Sequence, residues 1–479
     1  MKITIPYLFV YFFSISINCQ AQDFIPKQEL IEDLKYLNKA LDKTHPIVIN
    51  PIWNNRLDAF INHVDAVKAD EVTVFEYDQS IREAISLIGC VHTAVIKSPL
   101  QDVLSEKINE MGNNMFFPLR ICVDSSGLYV LDLEEDSQES SIQFPFKVDS
   151  INGIGWQELI YSMSVHYPQD SYQKTLAYKL LNTHGYYFLR RHFYAVNSIL
   201  IKGKSENGEK LELNVEAVQR YKNNQFEYYQ PDGEQLIKEQ NVSFFDLNSE
   251  SAYVKMKTVS YENYQEVHKT IFDYLNSTKK DNLIIDLRGN GGGSQMVYLD
   301  FLSNLSSETL CIEMIKRDES GLDFFSKKRH KAKPLKKYYK RSEKIEKGTK
   351  YFINPIPSKT TLFKGNLYVL INGETASGAS QLASFLKNSL NAICIGQETA
   401  GGETGNNGHG YDQLELPNSK ITINWPQYNV KLILPIPINH RGVIPNVEIK
   451  YEPKHYMLNR DLEMEKVFQL IIRKDYTRN

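Results

Sequence analysis

Asn282-Leu283-Ile284-Ile285-Asp286-Leu287-Arg288-Gly289-Asn290-Gly291-Gly292-Gly293-Ser294 is the stretch on which the reading of this chain turns. The apolar run 283–285 is that of a buried strand. It stops at Asp286 and Arg288 and then at Gly289, Gly291, Gly292 and Gly293. Glycine tolerates positive φ and lets another segment approach the backbone closely. A buried strand that ends this way can aim N–H groups at an anion or at a carbonyl oxygen. Taken alone, the stretch also fits a phosphate cradle or a plain tight turn. It lacks the Gly-Lys-Ser/Thr ending of a nucleotide-binding P-loop.

A second stretch narrows the choice. Residues 367–371, Leu-Tyr-Val-Leu-Ile, again have the pattern of a buried strand. They lead into Asn372-Gly373-Glu374-Thr375-Ala376-Ser377-Gly378-Ala379-Ser380, and residues 381–386 continue with a helix-compatible pattern. A serine on a small-residue turn between strand and helix is placed like a nucleophile, with helical N–H groups beside its hydroxyl. The plainer alternative is a small residue that lets the helix pack. A third strand pattern, 392–396, is followed by Glu398-Thr399-Ala400-Gly401-Gly402.

These three motifs, in this order, resemble the C-terminal processing (tail-specific) serine peptidases, a family that includes the tricorn-type cores. Residues 442–449, Gly-Val-Ile-Pro-Asn-Val-Glu-Ile, are similar to the family's closing strand, with Asn446 at the place of the usual Asp. The resemblance spans residues 241–451. It implies an α/β core of the crotonase/ClpP-like stacked ββα type. It also implies an acyl-enzyme on Ser377, with an oxyanion hole formed by the N–H groups of Gly378 and Gly292. The substrate it implies is a peptide or an unfolded protein, with no cofactor and no metal.

A serine nucleophile needs a base. Family members like the bacterial processing enzymes use a lysine in a T-x-G-K segment. The matching Thr399-Ala400-Gly401-Gly402 has Gly402 at that place, and glycine takes no proton. The tricorn-like branch uses a histidine from the N-terminal part of the chain. His92, in Gly89-Cys90-Val91-His92-Thr93, resembles the D-G-H-T segment of exported members, with Cys90 and Val91 in place of Asp-Gly. A neutral imidazole suits base work near neutral pH. The alternative for His92 is a satisfied core histidine. His409 and His440 are weaker rivals. The acid that would orient the histidine is missing from its expected place before the closing strand. Glu398, Glu403 and Glu415 are candidates by residue type only. The family's glutamate just after the serine motif is Ser380 here. These departures motivate a rival reading: a catalytically weak or inactive peptide-binding protein on the same scaffold.

The chain has 479 residues and a formal net charge of −3. That length calls for two or three domains, and that charge gives no argument for nucleic acid. Lys2, an apolar run over 3–17 and Asn18-Cys19-Gln20-Ala21 read as a secretory signal peptide cleaved after Ala21. The expected location is therefore periplasmic or secreted, with no transmembrane helix once the signal is removed. Cys19 is a candidate lipid-anchor site, although Ser16 stands where a Leu is usual. Cys90, Cys122, Cys311 and Cys394 lie among apolar neighbours at wide spacing, so buried free thiols are expected rather than disulfides or a metal cluster.

The expected organisation is a signal peptide over 1–21, a helical N-terminal domain over 22–110, a PDZ-like β-domain over 111–220, the peptidase core over 225–455 and a C-terminal helix over 456–479. Leu30, Leu34, Leu37 and Leu41 recur at helical spacing, and His45-Pro46 ends that helix. A strand is expected over 90–96. Asp124-Ser125-Ser126-Gly127 marks a hairpin, and Ser150-Ile151-Asn152-Gly153 resembles part of a PDZ segment. A PDZ-like groove would take peptide by strand addition, whereas a purely structural β-domain would not. The lysine-rich insertion over 316–350, with Tyr338 and Tyr339 interleaved, is read as a solvated surface arm rather than a nucleic-acid site.

Overall fold

The computed structural model describes residues 24–49, 55–110, 116–133, 144–170, 174–194, 196–218, 231–308, 310–317, 324–325, 339–346, 348–353, 357–435 and 440–478. The signal-peptide and Cys19 expectations lie outside these residues, as do most lysines of the insertion.

Among the described residues, a seven-stranded sheet runs in the order Glu234–Lys238, Val242–Asp246, Ser251–Met256, Asn282–Asp286, Asn366–Ile371, Ile393–Gly396, Val447–Glu448. The first three strands pair antiparallel, and every later pairing is parallel. Parallel strands are covered on both faces, which is why residues 283–285 are apolar without alternation. Their side chains still alternate in direction. Leu283 and Ile285 join a core built with the helices Tyr264–Ser277, Gln295–Leu302 and Ser377–Leu390. Ile284 points the other way, to Tyr368, Leu370 and the C-terminal helix Leu462–Arg478 through Met464 and Val467.

At the foot of this sheet lies a buried charge cluster. Asp286 accepts from Arg288 Nη2 at 2.8 Å, from Tyr253 Oη at 2.7 Å and from Lys255 Nζ at 3.0 Å. Arg288 continues to Asp461 at 2.7 Å and Glu463 at 3.2 Å, which ties the C-terminal helix to the strand end. Burial opposes the Asp286 charge, but the Arg288 and Lys255 cations hold its carboxyl well below the usual range.

The N-terminal helices Lys27–Thr44, Leu57–Ala66 and Val74–Ser86 bury the Leu30, Leu34, Leu37 and Leu41 stripe. Their core is completed from the far end of the chain by Leu414, Leu416, Ile421, Ile423 and Trp425. These belong to the hairpin Tyr411–Glu415 with Thr422–Pro426. The strand expected over 90–96 covers only Ala94–Lys97. Cys90 to Thr93 form a turn closed by Thr93 N–H on Cys90 O at 3.1 Å. The ladder starts only where Ala94 meets Asn424, a partner that local sequence does not announce.

The next region carries the antiparallel strands Leu119–Asp124, Gly127–Leu133, Phe146–Ile151, Ser198–Ser205 and Lys210–Glu216. Asp124 Oδ1 accepts the N–H groups of Ser126 and Gly127, which makes the expected hairpin turn. The helix Thr175–His192 was not read from sequence; it packs Leu181, Phe188 and Leu189 onto this sheet. Two further expectations are corrected. The C-terminal part of the insertion is no free arm, because Tyr339–Ile345 and Gly348–Ile353 form a hairpin beside Ile312–Arg317. Cys311 is exposed rather than buried, because its neighbour Ile312 takes the inward position. Among the described residues no helix is long and apolar enough to cross a membrane.

Candidate active site

The strands Asn282–Asp286 and Asn366–Ile371 are parallel neighbours, with Ile285 paired to Val369. Parallel neighbours end at the same edge of a sheet, so the two loops that follow them meet there. Side chains and backbone then lock the loops together. Thr375 Oγ1 donates to Leu287 O at 2.9 Å, Ala376 N–H to Asn290 O at 3.0 Å and Gly289 N–H to Asn372 Oδ1 at 3.2 Å.

Ser377 opens the helix Ser377–Leu390 with φ of 49°, in the left-handed region. That region is costly for a residue with a Cβ and turns the hydroxyl out of the helix path. The side chain is partly exposed. Gly378 is the second residue of the helix, where N–H groups have no intrahelical acceptor. Gly292, at φ of 110°, is packed so tightly against the elbow that a Cβ there would lie 2.6 Å from Ser377 Cβ and 2.8 Å from Gly378 N. The Gly292 N–H itself donates to Asn290 Oδ1 at 2.9 Å. Gly293 N is the neighbouring turn nitrogen, 3.2 Å from where a Gly378 Cβ would stand.

His92 arrives from the N-terminal region. Its turn is fixed to the 411–426 hairpin by Asn424 Nδ2 donating to His92 O at 2.8 Å. Tyr411 stacks on the imidazole at 6.0 Å between ring centroids. His92 Nε2 lies 3.1 Å from Ser377 Oγ. Burial pushes the imidazole down to about 4, so it is neutral at neutral pH. Its Nδ1 is buried and has no hydrogen-bond partner among the described residues. Of the rivals, His409 packs edge-on against Tyr428 at 5.4 Å, and His440 sits in the turn before Arg441.

The residue that sequence reading missed is Asp170. Its Oδ1 accepts Val91 N–H at 2.9 Å and its Oδ2 accepts Gly402 N–H at 3.3 Å. One carboxylate thus joins the histidine turn to the loop after the third core strand. Cys90 Sγ, a ring nitrogen of His92 and an Asp170 oxygen all lie within 4.8 Å of one another. Burial pushes Asp170 up to about 7, against the lowering effect of the two N–H groups. Pro168-Gln169-Asp170 carries no motif that would have drawn attention to it.

The acids chosen by type serve elsewhere. Glu398 accepts from Arg441 Nε at 2.9 Å and from Gly442 N–H at 2.7 Å. Glu403 is buried against Lys387, 3.2 Å away. Glu415 is exposed on its strand. Gly402 has no room for the absent lysine, since a Cβ there would meet Gly405 O at 2.4 Å.

Residues 250–449, which contain both loops, match the model of peptidase family S41. This region belongs to peptidase family S41. The S41 region carries a serine-type peptidase core, whose substrates are peptides or proteins. No curated protein sequence matches the chain. Among solved structures, mature CPAF complexed with lactacystin is similar at 13% identity, over 93% of this chain and 98% of that one, with a TM-score of 0.59. Mature CPAF alone is similar at 14% identity, over 90% and 94%, with a TM-score of 0.56. At such identity the likeness is one of fold, and it extends well beyond the S41 region to nearly the whole chain.

Proposed function

We propose that the protein is an exported serine peptidase in which Ser377 attacks the scissile carbonyl and His92 takes its proton. The observation that carries this reading is the 3.1 Å contact between His92 Nε2 and Ser377 Oγ. A neutral imidazole at that distance accepts the hydroxyl proton as the bond to carbon forms. The carbonyl oxygen becomes an oxyanion held by Gly378 N–H and the adjoining Gly292–Gly293 turn. The imidazolium gives its proton to the leaving amine. Water, activated by the same nitrogen, then clears the acyl group. Asp170 supplies negative charge near the imidazolium and anchors the turn that carries it.

The wider architecture is in our reading a crotonase/ClpP-like stacked ββα core joined to a PDZ-like β-domain. A signal peptide over 1–21 would deliver the chain to the periplasm or outside the cell, with Cys19 as a candidate lipid anchor. Mass spectrometry of the mature N-terminus tests that step: Gln22 at the start supports cleavage after Ala21, and a retained Met1 overturns it.

The peptidase assignment is tested with a serine-directed phosphonate probe. Labelling of the wild-type protein that disappears in Ser377→Ala supports the nucleophile, and labelling that persists refutes it. One contact favours the rival, a peptide-binding scaffold without turnover: the Gly292 N–H is already engaged by Asn290. Peptide binding without probe labelling or cleavage would establish that rival.

A further inference from the structure

Next to the serine, three side chains from two separate segments converge. Cys90 and His92 lie on the turn before Ala94–Lys97, and Asp170 comes from the region that follows. One ligand-type atom from each lies within 4.8 Å of the other two. Thiolate, imidazole and carboxylate form the donor set of a tetrahedral zinc site with one open position. In such a site, metal–ligand bonds of roughly 2.0–2.3 Å put the ligand atoms about 3.5 Å apart. The three groups therefore need to close by about an ångström, a side-chain adjustment.

We propose that Cys90, His92 and Asp170 form a binding site for a thiophilic divalent cation, Zn²⁺ above all, and that its occupation switches the peptidase off. Nε2 faces Ser377 at 3.1 Å, which leaves the buried Nδ1, with no hydrogen-bond partner among the described residues, to meet the metal. Coordination uses the Nδ1 lone pair and fixes the ring proton on Nε2. That nitrogen then donates and no longer accepts, so Ser377 keeps its proton.

The charges balance. Cys90 releases its thiol proton to solvent, Asp170 binds as carboxylate, and the two negative charges offset the cation. Without metal, burial and the Asp170 charge push the Cys90 thiol up to about 12. A bound cation reverses that preference, because it becomes the largest local charge. Asp170 can ligate while keeping Val91 and Gly402, since each carboxylate oxygen has a second lone pair. The inhibitory half of the proposal rests on His92 being the base; the binding half does not.

Two readouts keep these halves apart. Co²⁺, added to the purified protein, reports a thiolate ligand through a near-ultraviolet sulfur-to-cobalt absorption band, whether or not the protein is a peptidase. The band is expected in the wild type and lost in Cys90→Ser and in Cys90→Ala, while Cys311→Ser keeps it. Absence of the band in the wild type, or its persistence in both Cys90 variants, overturns the site. Phosphonate labelling is then timed against added ZnCl₂. Zinc should slow the wild type, and Cys90→Ser, measured against its own zinc-free rate, should need at least about tenfold more zinc for the same fractional slowing. Equal zinc sensitivity in the two proteins overturns the switch. A cobalt band without any wild-type labelling would leave the metal site standing and count against the peptidase reading.

Discussion

Asp170 Oδ1 accepts the backbone N–H of Val91 at 2.9 Å, one residue ahead of the imidazole that faces Ser377. With Gly402 N–H on its other oxygen, it couples the histidine turn to the loop behind the serine helix. Asp170→Ala should slow phosphonate labelling by about 10²-fold, because a displaced base loses the near-attack geometry. Asp170→Asn retains an acceptor for Val91 and should recover part of that loss. A wild-type rate in Asp170→Ala would remove the residue from the site.

The pH dependence follows from His92. In the proposed mechanism the reacting form is the neutral imidazole, and its pKa is lowered to about 4 by burial. Lowering extends the neutral form to more acid pH, so the acid limb of the labelling rate belongs near pH 4 rather than near 6.5. Asp170, raised to about 7, gains a proton as pH falls and ceases to favour the imidazolium. A shallow step near pH 7 is therefore expected above the main limb, and it should vanish in Asp170→Asn. His92→Ala should lower the rate by about 10²–10⁴-fold at neutral pH.

Gly292 admits no side chain. Gly292→Ala puts a Cβ within 2.6 Å of Ser377 Cβ, at a φ of 110°. The backbone strain should cost about 1–3 kcal/mol. Displacing the proposed oxyanion donors should reduce labelling by roughly 10²-fold or more. Urea unfolding and labelling kinetics on one preparation separate the two effects. Gly291, where a Cβ meets nothing within 4 Å, is the control position, and Gly291→Ala should label close to the wild-type rate.

The Arg288 cluster is structural. Arg288→Met leaves the buried Asp286 with Lys255 and Tyr253 and takes the guanidinium away from Asp461 and Glu463. Breaking a buried network of this kind should cost about 3–5 kcal/mol. Lost protection of the helix Leu462–Arg478 in hydrogen exchange would mark where the damage lands. An unchanged unfolding midpoint would refute the anchoring role.

The sequence by itself determined the core. Residues 282–294 and 367–386 carry strand, turn and helix signals within a few residues of one another, and short-range sterics fix such signals. The order of the motifs, through the family resemblance it carries, singled out Ser377 and the glycine turn and put Gly402 at the place of the usual lysine. The length of the strand near His92 escaped this reading because its partner, Asn424, lies far along the chain. The mutual placement of the two loops rests on parallel pairing between strands separated by the long segment from 287 to 365. Only the tertiary structure set the His92 imidazole on Ser377, 285 residues away. It alone found Asp170, whose role comes from two backbone N–H groups that no residue pattern encodes. Hydrophobic periodicity reports what a segment buries, whereas a polar site assembled from distant turns depends on how the buried faces dock.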